Sequence, residues 1–167
     1  MPTTSMRCST APSCGRISTA LALPKKHDDQ AIGRSRGGLS TKIHALVDAL
    51  GNPLAFLLTA GQTHDLVGAD ALPPQIAADR LFADKAYDAD ARVREPLARA
   101  GKAAVIPPRL NRLAPRDFDR DIYKERHLIE NFFCKLKQFR AIATRYDKTA
   151  QNFLAAVHLA AAIIWLN

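Results

Sequence analysis

From Leu39 to Val47 the chain alternates with a period of two. Leu39, Thr41, Ile43, Ala45 and Val47 fall on one side, and Ser40, Lys42, His44 and Leu46 on the other. That period predicts a strand. Gly51-Asn52-Pro53 predicts a turn and Leu54 to Thr59 a returning strand, together a hairpin. Thr63 or Asp65 is placed to cap a short helix that Pro73-Pro74 interrupts. The apolar runs Arg80 to Ala83 and Ala103 to Ile106 predict two compact strands. Between them a helix is expected from about Ala89 to Ala100, with Asp88 or Asp90 at its start, Gly101 past its end and a kink at Pro96. From Asp121 to Lys148 the period lengthens to that of a helix. At about 100° per residue, Tyr123, Arg126, Glu130 and Lys137 share roughly a 60° arc beside Ile122, Ile129, Phe132, Phe133, Leu136 and Phe139. Ala150 to Leu166 reads as a terminal core helix, with His158 as a packing residue.

The predicted order of strands and helices is an α/β arrangement with an antiparallel hairpin at one side. Residues 1 to about 30 carry neither period and are rich in Ser, Thr, Pro and Cys, so they are expected to be unstructured. The domain then runs from 31 to 167.

Composition narrows the class of partner. The 167 residues include 24 Lys and Arg against 16 Asp and Glu, a formal charge of +8. Such a balance favours a polyanion, nucleic acid before membrane, since no apolar run is long enough to span a bilayer. Cys8, Cys14 and Cys134 form no CxxC pair and leave an odd thiol, which points away from a disulfide framework or zinc site and suits a reducing cytoplasm.

Candidate chemistry gathers on few residues. Asp84 follows a strand directly, where ligand chemistry tends to sit in α/β sheets. On the other reading, Asp84 and Asp88 only cap the next helix. Glu130, bordered by Arg126 and Lys137, offers a second carboxylate. Carboxylates from different elements beside cations suit divalent metals acting on a phosphodiester, whereas Arg126 and Glu130 at i,i+4 also suit a plain surface pair. Arg34 and Arg36, among the glycines Gly33, Gly37 and Gly38, form either a phosphate-contacting loop or a basic linker. Arg109, Arg112 and Arg116 make a basic loop easily laid along phosphates.

Tyr123, Arg126, Glu130 and Lys137, spaced by two, three and six intervening residues, match the Y-R-E-K signature of DDE transposases of bacterial insertion sequences. The surrounding IENFFCKLKQFRAIATRYDK resembles the group-five type. LFADKAYDAD is similar to the family's second-aspartate motif, and GRSRGGLSTKIHALVDALGNPLAFLLTAGQTHD extends the resemblance back to about Asp29. It implies a ribonuclease H-like mixed sheet with flanking helices, and DNA transposition by metal-dependent phosphodiester hydrolysis and strand transfer. Asp84 and Glu130 would be the catalytic, metal-holding acids, with Mg²⁺ or Mn²⁺ as cofactor. Arg126, Lys137, Arg140, Arg145, Lys148, Arg34 and Arg36 would contact DNA, with Tyr123 in support. The implied partners are double-stranded DNA at element ends and target, the upstream-frame product or full-length transposase, and further copies in a homo-oligomeric active form. The implied location is the bacterial cytoplasm at the nucleoid.

The family's first aspartate, on the central strand of its sheet in a motif like DSTIVRAHQH, has no counterpart here; Asp28 and Asp29 lie on no apolar strand. The sheet is therefore expected to lack its first central strand. Legal codons for Met6 to Thr19 read from the third nucleotide give AMLDSTIVRAHQH, with the aspartate spanning the codons of Ser9 and Thr10. This suggests that residues 1 to about 25 are translated out of frame, the frames meeting near Lys25-Lys26, as in family members joined by ribosomal frameshifting. The expectation is a truncated form inactive alone. Its rivals are a DNA-binding competitor of full-length transposase and a pseudogene product with unpaired sheet edges.

Overall fold

The computed structural model describes residues 3–12, 30–35, 38–72, 78–109, 118–119 and 123–166, the first of these segments as backbone. One mixed sheet organises the chain. Its strands are β1 (Thr3–Pro12), β2 (Gly33–Ser35), β3 (Gly38–Asp48), β4 (Pro53–Ala60), β5 (Arg80–Ala83) and β6 (Ala103–Val105). β3 pairs antiparallel with β1 on one side and with β4 on the other, and β1, β5 and β6 run parallel. Ser40 pairs with both Pro12 and Gly33, so the short β2 prolongs the β4 side of β3.

The expected hairpin is β3–β4. Its turn is closed by Asp48, whose Oδ1 accepts from the backbone N–H of Leu50 and Asn52 at 2.8 and 2.9 Å, while Gly51 supplies a φ of 87°. The two compact strands are β5 and β6.

The segment expected to be unstructured corrects that reading. Residues 3–12 form β1, which fills the central position expected to be empty, between β3 and β5. Thr4 to Pro12 pair with Asp48 to Ser40, and Thr3 to Met6 with Arg80 to Ala83. A strand ladder is made of backbone N–H and C=O groups, and the flanking strands present unpaired rows of both. An extended segment without an apolar period can therefore complete the sheet, and the edges that the pseudogene reading leaves bare are paired. Asp28, Asp29, the Lys25-Lys26 junction and Pro73-Pro74 lie outside the described residues.

Helices cover both faces. Against one face lie α1 (Leu66–Ala71), α2 (Glu95–Arg99) and the turn before α2, enclosing Leu46, Leu81, Ala83, Tyr87, Val93, Leu97 and Ile106. Against the other lie α3 (His127–Gln138), α4 (Arg140–Thr144) and α5 (Ala150–Leu166), which bury Ile129, Phe132, Phe133, Leu136, Ile142, Phe153 and Val157 on Ile43, Ala45 and Val47. β3 is thus covered on both faces, one apolar through Ile43, Ala45 and Val47 and the other carrying buried Ser40 and His44 beside Leu46, as suits a strand in the middle of three layers.

Three helix expectations are adjusted. The stretch from Asp121 to Lys148 is not one helix: a 3₁₀ turn over Lys124–Arg126 leads into α3, Phe139 is extended (φ −75°, ψ 102°), α4 follows, and Arg145 adopts a left-handed φ of 39°. The break turns Ile142 into the core that Phe153 also fills. The helix expected before Gly101 opens as a π-helical turn, Asp90–Arg94, where Ala89 C=O accepts from both Val93 and Arg94, and tightens to α where Pro96 sits in the first turn. Asp65 precedes α1 but makes no cap bond; its carboxylate holds Lys42 Nζ at 2.6 Å instead.

Candidate active site

β5 sets the position of the first carboxylate. Leu81, Phe82 and Ala83 are buried, so the chain is fixed up to its last strand residue, and Asp84 emerges just past it. Asp84 Oδ1 accepts from the Lys85 backbone N–H at 2.6 Å and opens a 3₁₀ turn over Lys85–Tyr87. Capping and site-forming are compatible, because the second oxygen stays free of the turn. Asp84 Oδ2 faces Arg126 Nη1 at 3.8 Å, a charge contact rather than a hydrogen bond.

α3 sets the second. Ile129, Phe132, Phe133 and Leu136 bury one face, which brings Glu130 to the edge of that face in the first turn of the helix. There the helix dipole also favours a negative charge. Arg126 Nη2 lies 2.8 Å from Glu130 Oε1. The Arg126 guanidinium stacks over the Tyr123 ring at 5.1 Å, and Tyr123 meets Phe118 edge-on at 5.5 Å. Tyr123, Arg126 and Glu130 are therefore one assembly, and Arg126 ties it to Asp84. The three charged side chains are each a quarter to a third exposed, so the pairs are solvent-screened.

The loop after Asp84 is held from behind by contacts the sequence did not mark. Asp88 is buried; it takes Arg94 Nε at 2.8 Å and the Arg109 backbone N–H at 3.0 Å. Arg94 Nη2 reaches Ile106 O at 2.7 Å. Arg109 donates to Lys85 O and Ala86 O at 3.2 and 2.7 Å. Arg109 was expected to lie along phosphates, and its guanidinium is engaged in clamping the carboxyl ends of β5 and β6 instead. Spacings of six and 21 residues follow no helix or strand period, so no sequence signal points to these contacts.

Deeper still, His44 Nε2 lies 2.8 Å from Thr59 Oγ1 and His44 Nδ1 lies 3.2 Å from Tyr87 Oη. Tyr87 closes the turn that Asp84 opens, so this buried chain braces the same loop. Alternation placed His44 on the polar side of β3. It is fully buried because α1 covers that face at Gly68, where a Cβ would come 2.3 Å from His44 Nδ1. Burial pushes the His44 pKa down to about 4.

The remaining expected site residues divide. Lys137 is exposed on the same side of α3 as Glu130, about 10 Å along the axis. Arg34, Arg140 and Lys148 are exposed as well, while Arg36, Arg112 and Arg116 lie outside the described residues. Arg145, expected among the DNA contacts, is turned inward. It is 4% exposed, donates to Gln30 O, Ala31 O, Asp147 O and Thr41 Oγ1, and stacks over Phe153 at 4.8 Å. Desolvation lowers its pKa from the usual value. Its guanidinium sews β3 and the segment before β2 to the end of α4.

Asp84 and Glu130 supply hard oxygen donors on two rigid elements, the type that Mg²⁺ and Mn²⁺ take. Among the described residues no cluster of three His, Cys, Asp or Glu that could hold a metal ion forms.

Residues 16–165 match the family model of the transposase DDE domain. Over 131 residues, 77% of this chain and the whole of the relative, the sequence is 44% identical to a candidate transposase for insertion sequence element IS6501 of Brucella ovis. No solved structure matches the chain.

Proposed function

This chain belongs to the transposase DDE domain family, whose work is DNA transposition, and we propose that Asp84 and Glu130 are the second aspartate and the glutamate of its catalytic acids. The observation that carries this reading is Arg126, which stands 3.8 Å from one carboxylate and 2.8 Å from the other and so brings together acids 46 residues apart. Asp84 and Glu130 would hold the divalent ion, Mg²⁺ or Mn²⁺, which supplies Lewis-acid activation of a phosphodiester and of its attacking oxygen. The chain's own residues do the rest. Arg126, stacked on Tyr123, presents a planar guanidinium to a phosphate that enters between the acids. Lys137, Arg140, Lys148 and Arg34 offer exposed positive charge for the duplex around it.

A ribonuclease H-like core is supported by the strand order β4-β3-β1-β5-β6, with β1 parallel to β5 and antiparallel to β3. In that frame β1 is where a first catalytic aspartate belongs, and residues 3–12 contain no acid. Met6 pairs with Ala83, so the β1–β5 ladder ends one step short of Asp84. Ser9 and Thr10, whose codons would carry the aspartate in the shifted frame, lie a few residues further along β1. The chain as translated is therefore a form without strand-transfer activity, and the shifted frame restores the third acid.

The test is an exchange of Met6 to Thr19 for the shifted-frame sequence AMLDSTIVRAHQH. The exchanged protein gains Mg²⁺-dependent cleavage and strand transfer on element ends, and Asp84→Asn or Glu130→Gln then abolishes it. Strand transfer by the unexchanged chain, or activity that survives Glu130→Gln, overturns the assignment. A DNA-binding competitor of the full-length enzyme is the second reading, favoured by exposed Lys137, Arg140 and Lys148, which need no third acid. Binding to element ends that survives Glu130→Ala and falls steeply with salt supports it.

A further inference from the structure

We infer that Lys85 is a further substrate-contacting residue of the Asp84–Glu130 site, its ammonium holding the backbone phosphate next to the one being cut. The inference rests on the assignment of those two acids. Lys85 follows Asp84 directly, about 3.8 Å further along the chain trace, at the carboxyl end of β5.

The backbone of Lys85 is held from both ends. Its N–H donates to Asp84 Oδ1 at 2.6 Å, and its carbonyl accepts from the Asp88 N–H and from Arg109 Nε, both at 3.2 Å. Asp88 is in turn fixed by Arg94 and by the Arg109 backbone N–H. Tyr87 and Asp88 are buried, so the turn shows the solvent chiefly Lys85 and the small Ala86. The Lys85 side chain is the opposite of its backbone: it is exposed, and among the described residues it has no hydrogen bond or ion pair. An uncommitted cation on a rigid anchor suits a ligand contact, because binding then orders only the side-chain stem.

The neighbouring cations are already engaged. Arg94 is held by Asp88, Arg109 by the carbonyls of Lys85 and Ala86, and Arg126 between the two acids. Two carboxylates against one guanidinium leave one negative charge over. The phosphate being cut meets Arg126 and would share the divalent ion, but the phosphate beside it approaches the same carboxylates with neither, and like charges repel. Lys85 supplies the missing positive charge. A compact ammonium on a flexible stem can also follow a phosphate as the strand moves, which a planar fork does less well.

Salt titration of the full chain on an element-end duplex, with Mg²⁺ present, tests this. Lys85→Ala lowers affinity by about five- to tenfold at roughly 0.1 M salt and reduces the salt slope by about one. The thermal melt is unchanged, because the side chain is exposed, and Lys85→Arg keeps most of the affinity. Duplexes carrying a single neutral methylphosphonate locate the contact. With the neutral group next to the bond to be cut, Lys85→Ala costs nothing further; at other positions the whole loss remains. Unchanged affinity of Lys85→Ala, an equal loss at every methylphosphonate position, or coupling only to the cut phosphate or to one further along overturns the proposal. Glu130→Gln in the exchanged protein tests the two acids by activity and not by binding, so failure of either reading is told apart from failure of the other.

Discussion

Arg126 Nη2 and Glu130 Oε1 lie 2.8 Å apart, and the same guanidinium reaches Asp84 at 3.8 Å, so a single cation is shared by carboxylates from a strand end and a helix. The geometry holds both acids near one point without burying them. Arg126→Ala is expected to change folding stability by no more than about 1 kcal/mol, because the pairs are solvent-screened. It should lower DNA affinity across sequences and reduce the salt slope by about one. Arg126→Lys should recover only part of this, since an ammonium keeps the charge and loses the planar stack on Tyr123. Salt titrations of binding to element-end DNA measure both.

Arg145 and Arg140 are expected to separate cleanly. Arg145→Ala strips donors from the backbone carbonyls of Gln30 and Ala31 and empties the space over Phe153, and should cost on the order of 3 kcal/mol or more in a urea melt. Arg140→Ala, on an exposed side chain, should leave the melt within about 0.5 kcal/mol of the parent and weaken DNA binding instead.

His44 makes stability depend on pH. Its folded pKa is about 4 against an ordinary 6.5, so between those values the unfolded chain takes up a proton that the folded one refuses. The neutral-His contribution is fully present above pH 6.5 and is lost as pH falls from 6.5 to about 4, by up to roughly 3 kcal/mol. Urea midpoints across that window should fall with acidification, and His44→Gln should flatten the part due to this residue.

Gly68→Ala should destabilise by about 1–3 kcal/mol, since the added carbon meets the His44 ring at 2.3 Å and α1 must back away from β3. Thermal melts quantify the loss. A Gly68→Ala protein as stable as the parent would mean that His44 is not held against α1.

The apolar periods alone determined a good part of this protein: β3, β4, β5 and β6, the apolar face of α3 and the terminal helix all follow from alternation or helical spacing. The Tyr123-Arg126-Glu130-Lys137 spacing, a local pattern running from a 3₁₀ turn into α3, drew attention to Glu130 through the resemblance it carries. Period reports which side of an element is buried, but it carries no information about which distant segments meet. Only the tertiary structure decided that residues 3–12 lie at the centre of the sheet, because a backbone ladder can take in an extended segment that no apolar period marks. Only there does Arg145 turn inward, His44 lose its water and Asp88 join two strand ends, each through contacts that no spacing encodes. The meeting of Asp84 with Glu130 through Arg126 is of the same kind: each acid was legible on its own element, and the packing of α3 against the sheet is what made them neighbours.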